Sequence, residues 1–116
     1  LIDDEPQIRK LFERELSGKG YKIINACNGD EGLKLYHEHR PDLVITDLVM
    51  PEKEGIETIV LLKKIDPDVK IIAISGGGRA DPHTYLQIAK NSGVEKTFSK
   101  PIDWPRLIRA IKELLN

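Results

Sequence analysis

The run Leu43-Val44-Ile45-Thr46 restricts this chain more than any other stretch. It follows Pro41 and stops at Asp47, and it offers solvent no polar face. Such a run reads as a strand buried on both sides, as in the middle of a parallel sheet. Parallel neighbours must be joined by crossovers long enough for a helix. The remaining sequence supplies that alternation.

Leu1-Ile2 reads as the tail of a first strand, entered part-way along. Glu5 to Ser17 has Ile8, Leu11, Phe12 and Leu16 on one helical face, Pro6 at a tolerated early position, and Gly18 and Gly20 beyond its end. Tyr21 to Ala26 is expected to be a second strand. Asn28 is placed to cap a helix that runs to about His39, where Pro41 ends it. A third helix is expected from about Gly55 to Ile65, broken by Pro67-Asp68. Val69 to Ile74 is a fourth strand stopping at Ser75, and Gly76-Gly77-Gly78 is expected to be a mobile loop. Asp81-Pro82 opens a fourth helix that Gly93 closes. Val94 to Ser99 is a fifth strand. Asp103 caps a last helix with Leu107, Ile108, Ile111, Leu114 and Leu115 inward. Five strands alternating with five helices imply an α/β domain with a parallel sheet covered on both faces.

Composition removes several function classes. The 116 residues suit one α/β domain, and 40% apolar with 32% charged residues suits a globular one. The formal net charge is −1, without long runs of either sign, so there is no electrostatic footprint for nucleic acid or anionic lipid. No stretch is long enough to span a bilayer, and there is no signal-peptide pattern. The single cysteine, Cys27, cannot form an internal disulfide and fits a reducing, cytoplasmic compartment. It is expected to be a small apolar residue at a strand end.

In open parallel sheets, chemistry gathers beyond the carboxyl ends of the strands. The residues standing there are Asp3 and Asp4 after the first strand, Asp47 after the third, Ser75 after the fourth and Lys100 after the fifth. A parallel sheet puts all five on one edge. Carboxylates about 5 Å apart repel by roughly 3 kcal/mol per pair at an effective dielectric near 20. Such a group calls for a cation, and an all-oxygen donor set favours Mg²⁺ or Mn²⁺ over zinc. Lys100 offsets part of the charge. The ion suggests phosphate chemistry, with a carboxylate able to form an aspartyl phosphate.

Taken in order, these residues resemble the receiver domain of two-component response regulators along the whole chain. Asp3-Asp4 matches its acidic pair. Asp47-Leu48-Val49-Met50-Pro51 with Gly55 matches its phospho-acceptor turn. Ser75-Gly76 matches the hydroxyl-plus-small-residue position, and Lys100-Pro101 matches its Lys-Pro pair, usually joined by a cis bond. The resemblance implies one flavodoxin-like, doubly wound domain over residues 1–116, with five parallel strands in the order 2-1-3-4-5. It implies that Asp47 accepts a phosphoryl group from a phosphohistidine on a sensor kinase or phosphotransfer protein. Asp4 and Asp47 would ligate Mg²⁺ directly, Asp3 through water, and Val49 through its backbone carbonyl. Ser75 and Lys100 would grip phosphoryl oxygens and report to a surface made by the fourth helix, fifth strand and last helix. That surface also admits a homodimer. The domain would be a signalling module, catalysing only its own phosphorylation and dephosphorylation.

One departure is visible. Many receivers carry Tyr or Phe three residues before the lysine, where this chain has Thr97. Phe98 should point to the opposite side of its strand, into the core. A large aromatic swing is therefore not expected, and a modest rearrangement around residues 76 to 99 is.

Plainer readings stand beside each residue. Acids favour helix starts, so Asp3-Asp4 alone would mean little. The three glycines lack the Gly-Lys-Ser/Thr ending of a nucleotide loop. His37 and His39 face different ways and read as exposed, and His83 reads as structural. Trp104 is expected to pack under the last helix. An Mg²⁺-dependent aspartyl phosphatase or transferase is one rival. Such enzymes usually carry a second acid two residues after the nucleophile, where this chain has Val49. A degenerate receiver that only binds partners is argued against by the intact set Asp3, Asp4, Asp47, Ser75 and Lys100. A flavin carrier would have its flavin phosphate repelled by two carboxylates after strand one. No effector domain is legible after Asn116, so the chain reads as a stand-alone receiver or as part of a larger protein.

The lifetime of a phosphorylated Asp47 depends on whether a side chain can align water opposite it. The two nearest positions are Val49, with only methyl groups, and Gly77, with no side chain. Phosphate loss should be slow. Val49→Asn and Gly77→Glu should each hasten it on isolated phosphoprotein, and unchanged rates in both would refute this account.

Overall fold

A computed structural model describes residues 1–48, 55–75 and 91–115. Helix α1 (Pro6–Ser17) and helix α2 (Gly29–His39) precede strand β1 (Val44–Asp47). Helix α3 (Gly55–Ile65), strand β2 (Ile71–Ser75), strand β3 (Lys96–Ser99) and helix α4 (Trp104–Leu115) follow. The expected turn from Val49 through Pro51, the glycine loop, the helix opened by Asp81-Pro82, and His83 lie outside the described residues.

The sheet has three parallel strands in the order β1-β2-β3, with Asp47 beside Ile74 and Ser75 beside Ser99. On the open side of β1 it continues as two isolated parallel bridges, Ile2 with Thr46 and Ile2 with Ala26. Ile2 donates to the Ile45 carbonyl at 2.8 Å, Asp47 donates back to Ile2 at 2.9 Å, and Ala26 donates to Leu1 at 2.8 Å. The spatial sequence is therefore the 24–26 segment, the 1–3 segment, β1, β2, β3. Of the expected strand over Tyr21 to Ala26, the recorded pairing is the bridge at Ala26. Among the described residues the sheet comprises three strands and two isolated bridges, in a flavodoxin-like parallel arrangement with helices.

Alternation along the strands divides the core into two. Val44, Leu48, Ile71 and Ala73 pack with Ile59 and Leu62 of α3 and Tyr36 of α2. Ile45, Ile72 and Ile74 pack on the other side with Phe12 and Leu16 of α1 and Leu107, Ala110 and Ile111 of α4. Every residue of β1 and β2 is buried, as the apolar runs predicted. Phe98 joins the α1–α4 side, and Trp104 meets Phe12 edge-on at 4.9 Å between ring centroids, so both rings pack inward as expected.

The helix ends follow their sequence signals. The Asn28 side chain accepts from the Glu31 N–H at 2.8 Å, and the Glu31 carboxylate accepts from the Cys27 N–H at 3.0 Å, which pins the start of α2. Arg40, at φ 46°, turns the chain out of α2 in a left-handed conformation. Asp103 accepts from the Arg106 N–H at 3.3 Å at the start of α4. Cys27 corrects another expectation: it is exposed rather than a buried apolar residue, because it stands at the turn into α2. His37 and His39 are exposed.

Two glycines mark close approaches beside the strand ends. A methyl group on Gly55 would collide with the backbone of Asp47 and Leu48, whereas one on Gly32 would meet the side chain of Ile2. Alanine gains about 1 kcal/mol of helix propensity over glycine. A side chain can rotate away and a strand backbone cannot. Gly55→Ala should therefore destabilise the domain by more than Gly32→Ala in denaturant melts. The reverse order would contradict the packing described for α3.

Candidate functional site

The carboxyl ends of the 1–3 segment, β1, β2 and β3 meet at one edge. Hydrogen bonds tie them together there: Asp47 N to Ile2 O at 2.9 Å, Leu48 N to Ile74 O at 2.9 Å, and Lys100 N to Ser75 O at 2.8 Å. The Lys100-Pro101 bond is cis, as the Lys-Pro pair suggested.

Asp3, Asp47 and Ser75 are buried, and Asp4 is half-buried. Asp3 is held from both directions. Its Oδ1 accepts from the Glu5 N–H at 2.9 Å, a local turn that starts α1, and its Oδ2 accepts from Lys100 Nζ at 3.3 Å. Arg9 fastens the same residue by donating to its backbone carbonyl at 2.7 Å. Lys100 Nζ also reaches Asp47 Oδ2 at 3.5 Å and Glu5 Oε1 at 3.3 Å.

Carboxylate oxygens of Asp3, Asp4, Glu5 and Asp47 all lie within 4.8 Å of one another. Three of these carboxylates, Asp3, Glu5 and Asp47, contact the Lys100 ammonium, and Asp4 adds a fourth to the group, so acids outnumber the one ammonium at this edge. Hard oxygen donors in excess over positive charge suit a divalent ion such as Mg²⁺, and the residues present fit one. Val49 and its carbonyl lie outside the described residues.

The electrostatics follow from burial. Desolvation pushes the Asp3 carboxyl above the usual carboxylate range, against the opposing pull of the Glu5 N–H and Lys100. Burial works to lower the Lys100 ammonium, but Asp3, Asp47 and Glu5 together outweigh it and hold its pKa above the ordinary lysine value.

Four of the sequence-derived site residues, Asp3, Asp4, Asp47 and Lys100, are thus brought together. Ser75 is placed at the same edge by its register and its bond to Lys100. Two residues escaped the sequence reading. Glu5 joins the acidic group and binds Lys100, although its neighbours Asp3-Asp4 were an available signal. Arg9 was hidden among the polar residues of α1.

The response regulator receiver domain model matches residues 1–112. A probable transcriptional regulator, ycf27, of Guillardia theta is 38% identical over 117 residues, covering 100% of this chain and 45% of its own length. The chain thus spans under half of that relative. Sporulation initiation phosphotransferase F of Bacillus subtilis is 32% identical over 115 residues, covering 99% of this chain and 90% of its own. Among solved structures, the response regulator protein TrrA of Thermotoga maritima in complex with Mg²⁺-BeF superposes with a TM-score of 0.86 at 33% identity. It covers 98% of this chain and 95% of that one.

Asp3 binds a proton more readily folded than unfolded. Its contribution to stability is therefore full below the ordinary carboxylate pKa and is lost as pH rises through its raised folded value. Asp3→Asn removes that loss. In a chelator, the variant should melt above the parent at neutral pH, and the gap should close as pH falls towards the carboxylate range. A variant that melts below the parent at neutral pH would contradict the burial argument.

Proposed function

The chain belongs to the response regulator receiver family, and from that premise we propose that it takes a phosphoryl group onto Asp47 from a phosphohistidine. Its role in a phosphorelay follows from the family. The observation that carries the assignment to Asp47 is the contact of its buried carboxylate with Lys100 inside the acidic group, 3.5 Å from Nζ.

The chemistry asks little of the protein beyond placement and charge. An Asp47 oxygen forms the new O–P bond as the donor's P–N bond breaks, and the imidazole keeps the electron pair. The end of β1 aims that carboxylate out of the sheet edge. Lys100 neutralises oxygens of the incoming group, and Ser75 stands one register step beyond Asp47 to hold another. A bound divalent ion, held by Asp4 and Asp47 with Asp3 behind them, would supply the charge that lets two anions approach. The TrrA complex with Mg²⁺-BeF supports that choice of ion.

The same reading makes the partner a sensor kinase or phosphotransfer protein in the cytoplasm, and limits catalysis to the domain's own phosphorylation and dephosphorylation. The response passes through Ser75 and Lys100 to β3 and α4, whose outer face is the output surface and admits a homodimer.

Incubation with a small acyl phosphate and Mg²⁺ should add one phosphoryl group, read by intact mass. Chelation and Asp47→Asn should each prevent it. A phosphorylated Asp47→Asn protein would sink the assignment.

A further inference from the structure

Glu5 has no place in the chemistry just described, yet it holds the same ammonium as Asp3 and Asp47. Lys100 Nζ lies 3.3 Å from Asp3, 3.3 Å from Glu5 and 3.5 Å from Asp47. An ammonium has three N–H donors, and here three carboxylates surround it. They are not equivalent. The side chains of Asp3 and Asp47 are 1% and 4% exposed, whereas that of Glu5 is 49% exposed at the rim. Glu5 also occupies the N-cap position of α1 without using its side chain as a cap. Its carboxylate is directed to Lys100 instead.

We propose that Glu5 is a positioning residue that keeps Lys100 when a divalent ion is bound and phosphate is absent, and that it competes with phosphoryl oxygens for that lysine. The proposal rests on the receiver reading of the site. A doubly charged ion draws on the inner carboxylates more strongly than a singly charged ammonium does. Lys100 then loses its share of Asp3 and Asp47. Glu5 remains within reach at the solvent edge and holds the ammonium there. Phosphoryl oxygens must take Lys100 from Glu5, so the strength of this rim pair sets how readily Lys100 engages.

An exposed ion pair of this kind is worth up to about 1 kcal/mol, which converts to up to about fivefold in affinity. Beryllofluoride binding at saturating Mg²⁺, measured by calorimetry, reads the competition directly. Glu5→Gln should bind the mimic about two- to fivefold tighter than the parent, and should make no difference in a Lys100→Met background. Equal tightening in both backgrounds would mean that Glu5 acts only through the general field, and would overturn the proposal. If Lys100→Met does not fold, Glu5→Asp takes its place, since it keeps the charge on a shorter arm. It should behave like Glu5→Gln, and parent-like behaviour would overturn the proposal.

A second readout needs no mimic. The Glu5–Lys100 coupling in a thermal double-mutant cycle should survive Mg²⁺, while the Asp3–Lys100 coupling should fall. Loss of the Glu5–Lys100 coupling in Mg²⁺, with the parent still binding beryllofluoride, would remove the role of Glu5 alone. A parent that binds no beryllofluoride in Mg²⁺ would remove the receiver reading and this proposal together.

Discussion

Parallel pairing of strands that are buried on both faces is the constraint on which the rest of this molecule depends. β1 and β2 have no solvent side, so helices must cover both, and every strand must run the same way. The carboxyl ends then collect at one edge without any further instruction. Residues as far apart in sequence as Asp3, Asp47, Ser75 and Lys100 become neighbours because each stands at the carboxyl end of a strand or bridge. The apolar core thus builds the polar site. Gly55 sharpens the point: α3 reaches the backbone of Asp47 and Leu48 because no Cβ stands between them.

What gathers there is costly to the fold. Asp3 and Asp47 are buried carboxylates near two others, and the Lys100 ammonium cannot balance four. The raised pKa of Asp3 is the signature of that cost, since a carboxylate placed for stability alone would be held low by its partners. The structure tolerates the cost because the surroundings are stiff. Asp3 is tied through the Glu5 N–H, through Arg9 at its carbonyl and through Ala26 at its amide. Such an edge is poised to gain from positive charge and from a group that brings its own counter-ion.

Much of this was legible in the sequence, for identifiable reasons. Continuous apolar runs have few alternatives to buried strands, so β1 and β2 were readable, and so was the end of each run at a functional residue. The ends of α2 were readable because Asn28 and Pro41 act locally. Tyr21 to Ala26 alternates as a strand should, and its recorded pairing is the bridge at Ala26. Glu5 was missed because its role is not local. Its role comes from the end of another strand, ninety-five positions away in sequence. Cys27 was misread because a small apolar side chain looks the same whether it ends a strand or starts a turn.

The arrangement of β3 narrows how such a site can signal. Phe98, partly buried, packs against the α1–α4 side of the core, beside Ile74 in register, and turning it outward would forfeit that packing. Thr97 lies on the opposite side of the strand, next to Ala73, with too small a side chain to fill or vacate a pocket. A side-chain swing is therefore a poor carrier of information here. The backbone is better placed. Ser75 and Lys100 are joined by the bond from Lys100 N to Ser75 O, so a pull on either side chain is felt by both strand ends. Lys100 leads within four residues into α4, whose Trp104 rests on Phe12 of α1. The site edge is thus linked by backbone hydrogen bonding to β2 and β3, and by the short step from Lys100 to Trp104 to the core beside α1.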